Sequence, residues 1–241
     1  MKKFASLAVL LLSVTVMAAP NVSNEYEVGS ISIIETTKGL KGMKAYQLDA
    51  EGDEPATEKP PVDRIEQAGK VISVAKDLVA LGETIYDLVK KGKPSNTTTY
   101  AAISVVPKDP TTKEIVSPFD LEGFSMPVER SFTAKVLNMN GKEVVRFDYQ
   151  LVYSFGGSYD GKGKYLTGVM IVPRNITTSF GWDFNATMKL DAIMNHGSKD
   201  DPIAGALVTI KYQMNSWSKS FERNDAIHVT GSGEVKSFGI K

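Results

Sequence analysis

The chain predicts a mainly β protein: an antiparallel β-sandwich with one long amphipathic α-helix packed on it. Three observations carry that expectation. Segments from Thr97 onward alternate apolar and polar residues with a period of two, Asn140-Gly141 stands between two such runs as a hairpin turn, and residues 63–91 keep a helical period instead. Several short alternating segments separated by turn residues are the pattern of a sandwich or barrel.

Residues 1–18 read as a secretory signal. Lys2 and Lys3 precede an apolar run from Phe4 to Leu12, and Val16 and Ala18 are the small residues before the cut. The run falls short of the roughly 20 apolar residues a spanning helix needs, and no later run reaches that length. The mature chain is therefore expected to be exported to the periplasm, cell surface or medium with no transmembrane span. Residues 19–61 hold one strand candidate at 28–36 and then turn acidic and proline-rich, with Asp49, Glu51, Asp53, Glu54 and Glu58 set among Pro55, Pro60 and Pro61. Such a composition buries too little apolar surface to offset its ordering entropy, so it reads as a linker. Residues 62–241 make up the folded unit, a helix at 63–91 followed by the sandwich.

The helix has start and stop signals. Asp63 is placed as N-cap with Glu66 three residues on, as in a capping box; Lys90 and Lys91 suit a C-terminus, Gly92 a left-handed cap and Pro94 a stop. Ile65, Val71, Ile72, Val79, Tyr86 and Val89 share one face, with Gly82 as a flat spot. That face is small and β-branched and its back is charge-balanced. A lipid-interfacial helix carries bulky aromatics and a basic back, so packing on a sheet is the expectation.

Among the strand candidates that follow, KEVVRFDYQLVYSF is the clearest. Val145, Phe147, Tyr149, Leu151 and Tyr153 share a core-facing side, and Arg146, Asp148 and Gln150 share the other. YLTGVMIVP, FNATMKLDAIM and GALVTIKYQM read as further strands, with shorter pieces at 227–230 and 235–240. The stretches between them, GGSYDGKGK, PRNITTSFGWD and NHGSKDDP, read as loops.

Composition excludes several chemistries. The chain has no cysteine, which removes disulfides, thiolate metal sites and lipidated cysteines, and its net charge of +0 lacks the basic footprint of a nucleic-acid binder. Of its two histidines, His196 falls in NHGSKDDP and His228 in a probable strand; Ser232 lies near His228, but no G-x-S-x-G elbow accompanies them. Asp200 and Asp201 lack the D-x-D-x-D-G spacing of a calcium loop and precede Pro202 as turn residues do. The Gly161–Gly163 and Gly231–Gly233 pairs do not open helices, so they are not phosphate cradles. Asn21, Asn96, Asn175 and Asn185 begin N-x-[ST] sequons, glycan candidates in a eukaryotic route; the short double-lysine leader points to a bacterial one. No catalytic residue, cofactor or metal is expected.

The order of AGKVISVAKDL, YAAISVV and YLTGVMIVP with an aromatic loop resembles the actinoporins, pore-forming toxins with a β-sandwich and an amphipathic helix. The matching positions are Gly168, Val169 and Met170 with Val172 and Pro173, and then Phe180, Trp182 and Phe184 in the following loop. The resemblance implies contact between that loop and phosphocholine headgroups. The chain departs from the family in lacking its paired tryptophans, its tyrosine cluster and an Arg-Gly-Asp.

The function expected from these residues is an exported, non-enzymatic binding protein whose partner is a protein, a glycan or a lipid surface. Its contact residues would be Phe180, Trp182 and Phe184, with Tyr159 in the glycine-rich loop, because loops on a rigid sandwich commonly carry recognition. Trp182 is the best anchor by type, but its default reading is a residue that closes the end of the sandwich. Two alternatives stand beside this reading: a membrane-active, actinoporin-like pore former whose helix undocks, and a hydrolase with a distributed carboxylate site.

Overall fold

The computed structural model describes residues 22–37, 77–95 and 102–239. A four-residue helical turn, α1 (Val22–Glu25), leads into β1 (Val28–Glu35). The remaining strands are β2 (Leu78–Leu81), β3 (Ile85–Lys90), β4 (Lys93–Pro94), β5 (Ile103–Pro107), β6 (Val128–Asn138), β7 (Glu143–Tyr159), β8 (Lys162–Thr178), β9 (Trp182–Asn195), β10 (Ala204–Ser216), β11 (Ser220–Thr230) and β12 (Val235–Gly239). They form two six-stranded sheets in the orders β1-β6-β7-β8-β5-β2 and β12-β11-β10-β9-β3-β4. Every ladder between named strands is antiparallel. The signal segment and the acidic linker lie outside the described residues.

The alternation of β7 builds the core as its sequence requires. Val145, Phe147, Tyr149, Leu151 and Tyr153 are buried, while Arg146, Asp148 and Gln150 are half-buried on the outer face, where Asp148 accepts from Thr133 at 2.7 Å and pairs with Arg146 at 3.3 Å. Facing β7 across the sandwich, β9 presents Phe184, Met188 and Leu190, and β10 presents Val208, Ile210, Tyr212 and Met214, all buried. Rings interlock between the sheets: Phe147 meets Phe184 at 5.6 Å between centroids, and the Tyr212 hydroxyl donates to that of Tyr149 at 3.0 Å. Burial pushes the phenol pKa of both tyrosines upward, so they stay neutral hydrogen-bonding groups.

The expected long helix is overturned wherever its residues are described. Residues 63–76, with the Asp63 and Glu66 capping box, lie outside the described residues, and residues 77–91 are strand and turn. β2 pairs with β5, Val79 opposite Val106, at the edge of the first sheet, and β3 pairs with β9, Tyr86 opposite Met188, in the second. Between them the chain crosses from sheet to sheet at Gly82, whose φ of +109 belongs neither to a helix nor to a strand. In β3, Ile85 and Asp87 are exposed while Tyr86 and Leu88 are buried, a period of two. The supposed C-cap is a hairpin turn: Lys91 (φ 50) and Gly92 (φ 68) are both left-handed, and Lys90 pairs with Lys93 across them. Leu, Val, Ile and Tyr satisfy either period over so short a span, and the ladders on offer decide between them.

Two turns also differ from expectation. The Asn140-Gly141 hairpin forms, but through a three-residue loop in which Gly141 N–H donates to Asn138 O and Asn138 N–H to Lys142 O, each at 2.9 Å. The Asn138 carboxamide stabilises this form by accepting from the N–H groups of Asn140 and Lys142. GGSYDGKGK is not a loop: β7 and β8 run through it, and Asp160-Gly161 alone turns the chain, with Tyr159 opposite Lys162.

Denaturant unfolding tests the crossing, the hairpin and the tie between the sheets. A Cβ at Gly82 would lie 2.2 Å from the Ala102 carbonyl oxygen, so Gly82→Ala should cost more than about 2 kcal/mol in denaturant unfolding. Gly141→Ala, which meets open space, should cost about 1 to 2 kcal/mol. The Ile171 N–H donates to the buried Tyr86 hydroxyl at 2.9 Å, tying β8 to the opposite sheet. Tyr86→Phe strands that amide and should cost about 1 to 3 kcal/mol by the same measurement.

Candidate functional site

The long β8 separates the residues that the sequence offered as one contact set. Tyr159 stands at its start and Phe180 just past its end, and 17 strand residues span about 50 Å. Trp182 and Phe184, at the start of β9, point inward and are only 6% and 1% exposed. They belong to the core, and of the aromatics in that loop Phe180 alone reaches solvent, at 84% exposure.

Phe180 has partners that sequence reasoning missed. Trp217, on the β10–β11 turn, is 72% exposed; Phe180 meets it edge-on at 5.5 Å, and Tyr26 stacks on it at 5.4 Å with planes 6° apart. Three distant segments thus build one convex aromatic knob. It is held rigidly. Ser216 Oγ donates to Tyr26 O at 2.6 Å, Met139 N–H to Glu27 O at 2.9 Å, Asn138 Nδ2 to Glu25 O at 3.1 Å, and Lys219 pairs with Glu27 at 2.8 Å. The sequence signal that could have found it is Trp217 itself, in a polar NSWSKS stretch where a strand core has no use for it.

The opposite end of the sandwich is polar. A cleft of about 360 Å³ lies there, lined by Asp77, Asp109, Tyr159, Tyr165 and the lysines Lys108 and Lys199 among others. Tyr159 donates to Asp109 Oδ2 at 2.7 Å, and Asp109 Oδ1 accepts the N–H groups of Thr111 and Thr112 at 2.7 Å each. These bonds, the Thr112 amide first, hold the Asp109 pKa down at about 2. Burial, with Asp201 nearby, pushes Tyr165 up to about 12. A paired-carboxylate site needs a second, proton-holding acid beside the ionised one. Among the described residues, a raised carboxyl pKa is found at Asp225, which lies inside the sandwich and does not line the cleft.

Two further observations concern residues that the sequence treated singly. His196 and His228 meet at this polar end, their Nε2 atoms 2.8 Å apart. Asp201 Oδ1 accepts from the Gly163 N–H at 2.8 Å, closing the β9–β10 turn against β8. Among the described residues there is no group of three or more His, Cys, Asp or Glu poised around a common point.

The fold and these two ends define a cysteine-free antiparallel β-sandwich with an aromatic pole and a polar pole. No protein-family model, no curated protein and no solved structure matches the chain. The actinoporin resemblance rests on its short sequence matches, of which Gly168–Pro173 lies in β8.

Asp225 makes a pH prediction. It is buried, no side chain among the described residues hydrogen-bonds either oxygen, and desolvation raises its pKa from 3.8 to about 6 against the opposing pulls of Arg223 and the Ala226 amide. A carboxyl whose folded pKa is raised stabilises the fold below its unfolded pKa and loses that contribution as pH climbs through the folded one. Unfolding free energy should therefore fall between about pH 4 and pH 6, by about 1 to 2 kcal/mol once screening is allowed for. Asp225→Asn should flatten that slope in chemical denaturation and raise stability at pH 7.

Proposed function

We propose that the chain is an exported, non-enzymatic binding protein that grips a macromolecular partner through its aromatic pole. The observation that carries this reading is the Tyr26–Trp217–Phe180 knob, whose two outer rings remain mostly exposed although the backbone beneath them is clamped. Exposed aromatics of this size have a solvation cost, and Trp and Tyr are the side chains most enriched at binding hot spots. Prior rigidity lowers the ordering cost of association. The contact residues are then Phe180 and Trp217, with Tyr26 as backing, while Trp182 and Phe184 support the turn from within.

A lipid surface is the second reading, favoured by Lys142 on the β6–β7 turn, whose neighbour Met139 bonds the chain beneath Tyr26. Aromatic and basic residues together suit a headgroup interface. This reading is attachment by the turns that carry the knob; among the described residues no helix is long and apolar enough to cross a membrane.

One experiment separates the two. Purified chain is tested for retention on envelope protein and polysaccharide fractions and for sedimentation with phosphatidylglycerol vesicles. Trp217→Ala and Phe180→Ala should each weaken retention about tenfold or more with unchanged melting temperature. Vesicle binding lost in the same variants would select the lipid reading, and retention indifferent to both would overturn the aromatic pole as the contact surface.

A further inference from the structure

At the polar pole, well away from the aromatic knob, the two histidines of the chain converge. His196 opens the β9–β10 turn and is the exposed partner; His228 lies in β11 between Leu207 of β10 and Lys236 of β12 and is 8% exposed. The turn under His196 is tightly built. His196 N–H donates to Ile203 O at 2.7 Å, Asn195 Oδ1 accepts from the N–H groups of Gly197 and Ile203 at 2.9 Å each, and Asp201 N–H donates to Ser198 Oγ at 2.9 Å. Gly205 is the floor beneath both rings: a Cβ there would lie 2.6 Å from His196 Nε2 and 2.8 Å from His228 Cε1. The absence of a side chain at Gly205 is what lets the imidazoles meet.

Two imidazole nitrogens 2.8 Å apart hold at most one proton between them. A further proton placed between them would turn one ring into an imidazolium and press two N–H groups together; on His228 that charge would be buried beside an Nδ1 that lacks a partner among the described residues. Desolvation, His196 and Lys236, in that order, pull the His228 pKa below its ordinary value. The neutral imidazole is the form of histidine that binds metal. Displacing the shared proton leaves two lone pairs directed at one small region.

The spacing discriminates among cations. Two nitrogens each about 2.0 Å from a metal are about 2.8 Å apart when they subtend a right angle, as in tetragonal coordination, and about 3.3 Å apart in a tetrahedron. The observed separation is the former. Imidazole ligands suit zinc, copper, iron and nickel alike, and of these copper leads the affinity order of the first-row divalent ions and takes the right-angled geometry. Exposure of His196 leaves the remaining positions open to water.

We propose that His196 and His228 form a Cu(II) site, bound cis through the two Nε2 atoms with water completing the coordination. The test titrates Cu(II) into the untagged, purified chain by calorimetry, with electron paramagnetic resonance of the loaded protein. One Cu(II) per chain is expected, with a tetragonal spectrum split by two imidazole nitrogens. His196→Gln and His228→Gln should each lower affinity at least tenfold. Because His228→Gln could disturb the fold, Gly205→Ala is the independent probe. It keeps both ligands but displaces their rings, and should weaken Cu(II) while circular dichroism stays unchanged. Copper binding indifferent to His196→Gln and Gly205→Ala, or a spectrum without two imidazole couplings, would overturn the proposal.

Discussion

Both sheets are locked together along the buried seam where the aromatic row of β7 meets β9 and β10. Phe132 and Phe147 stack on Tyr149, Phe147 packs on Phe184, Phe184 stacks on Tyr212, and the Tyr212 and Tyr149 hydroxyls answer one another across the core. A buried phenol without a partner is costly, so this pair is satisfied only when β7 and β10 sit in one register and at one separation. Slipping either strand by a residue would turn the row outward. Long strands held this way deliver their turns to two ends as rigid platforms.

Those platforms have opposite chemistry because strand parity does not extend into turns. On β9 the inward positions include Trp182 and Phe184, while Phe180, two residues earlier and of the same parity, has left the ladder and faces solvent. The turn after β10 delivers Trp217 to the same place, and the chain before β1 delivers Tyr26. At the other pole, aspartates and amides tie the turns to one another, as Asp109 does with Thr111 and Thr112 and Asp201 with Gly163. Acidic residues that looked available for chemistry are in good part employed in shaping loops.

The core of β7 was readable because a half-buried strand advertises its face by strict alternation, and Val145 through Tyr153 fall where that alternation puts them. The segment from Leu78 to Lys90 is ambiguous in sequence because the apolar residues of a four-residue and a six-residue strand fit helical spacing as well as strand spacing. Local signals deepen the ambiguity: Lys91-Gly92-Lys93-Pro94 is equally good chemistry for a helix stop and for a tight hairpin. The candidate contact residues were half legible. Aromatic type and position marked Phe180, but whether Trp182 and Phe184 were core or surface depended on where β9 begins.

By itself, then, the sequence determined the mainly β class, the faces of the long strands, the Asn140-Gly141 hairpin and a fold without disulfides, since these follow from residue type and spacing within a few positions. Tertiary structure alone decided that the chain crosses between sheets at Gly82, that Tyr26, Phe180 and Trp217 share one pole, and that His196 meets His228 over Gly205. Each of these joins residues through the registers of several ladders. Register is a property of strand pairs, set by how the whole core packs, and no single segment carries it.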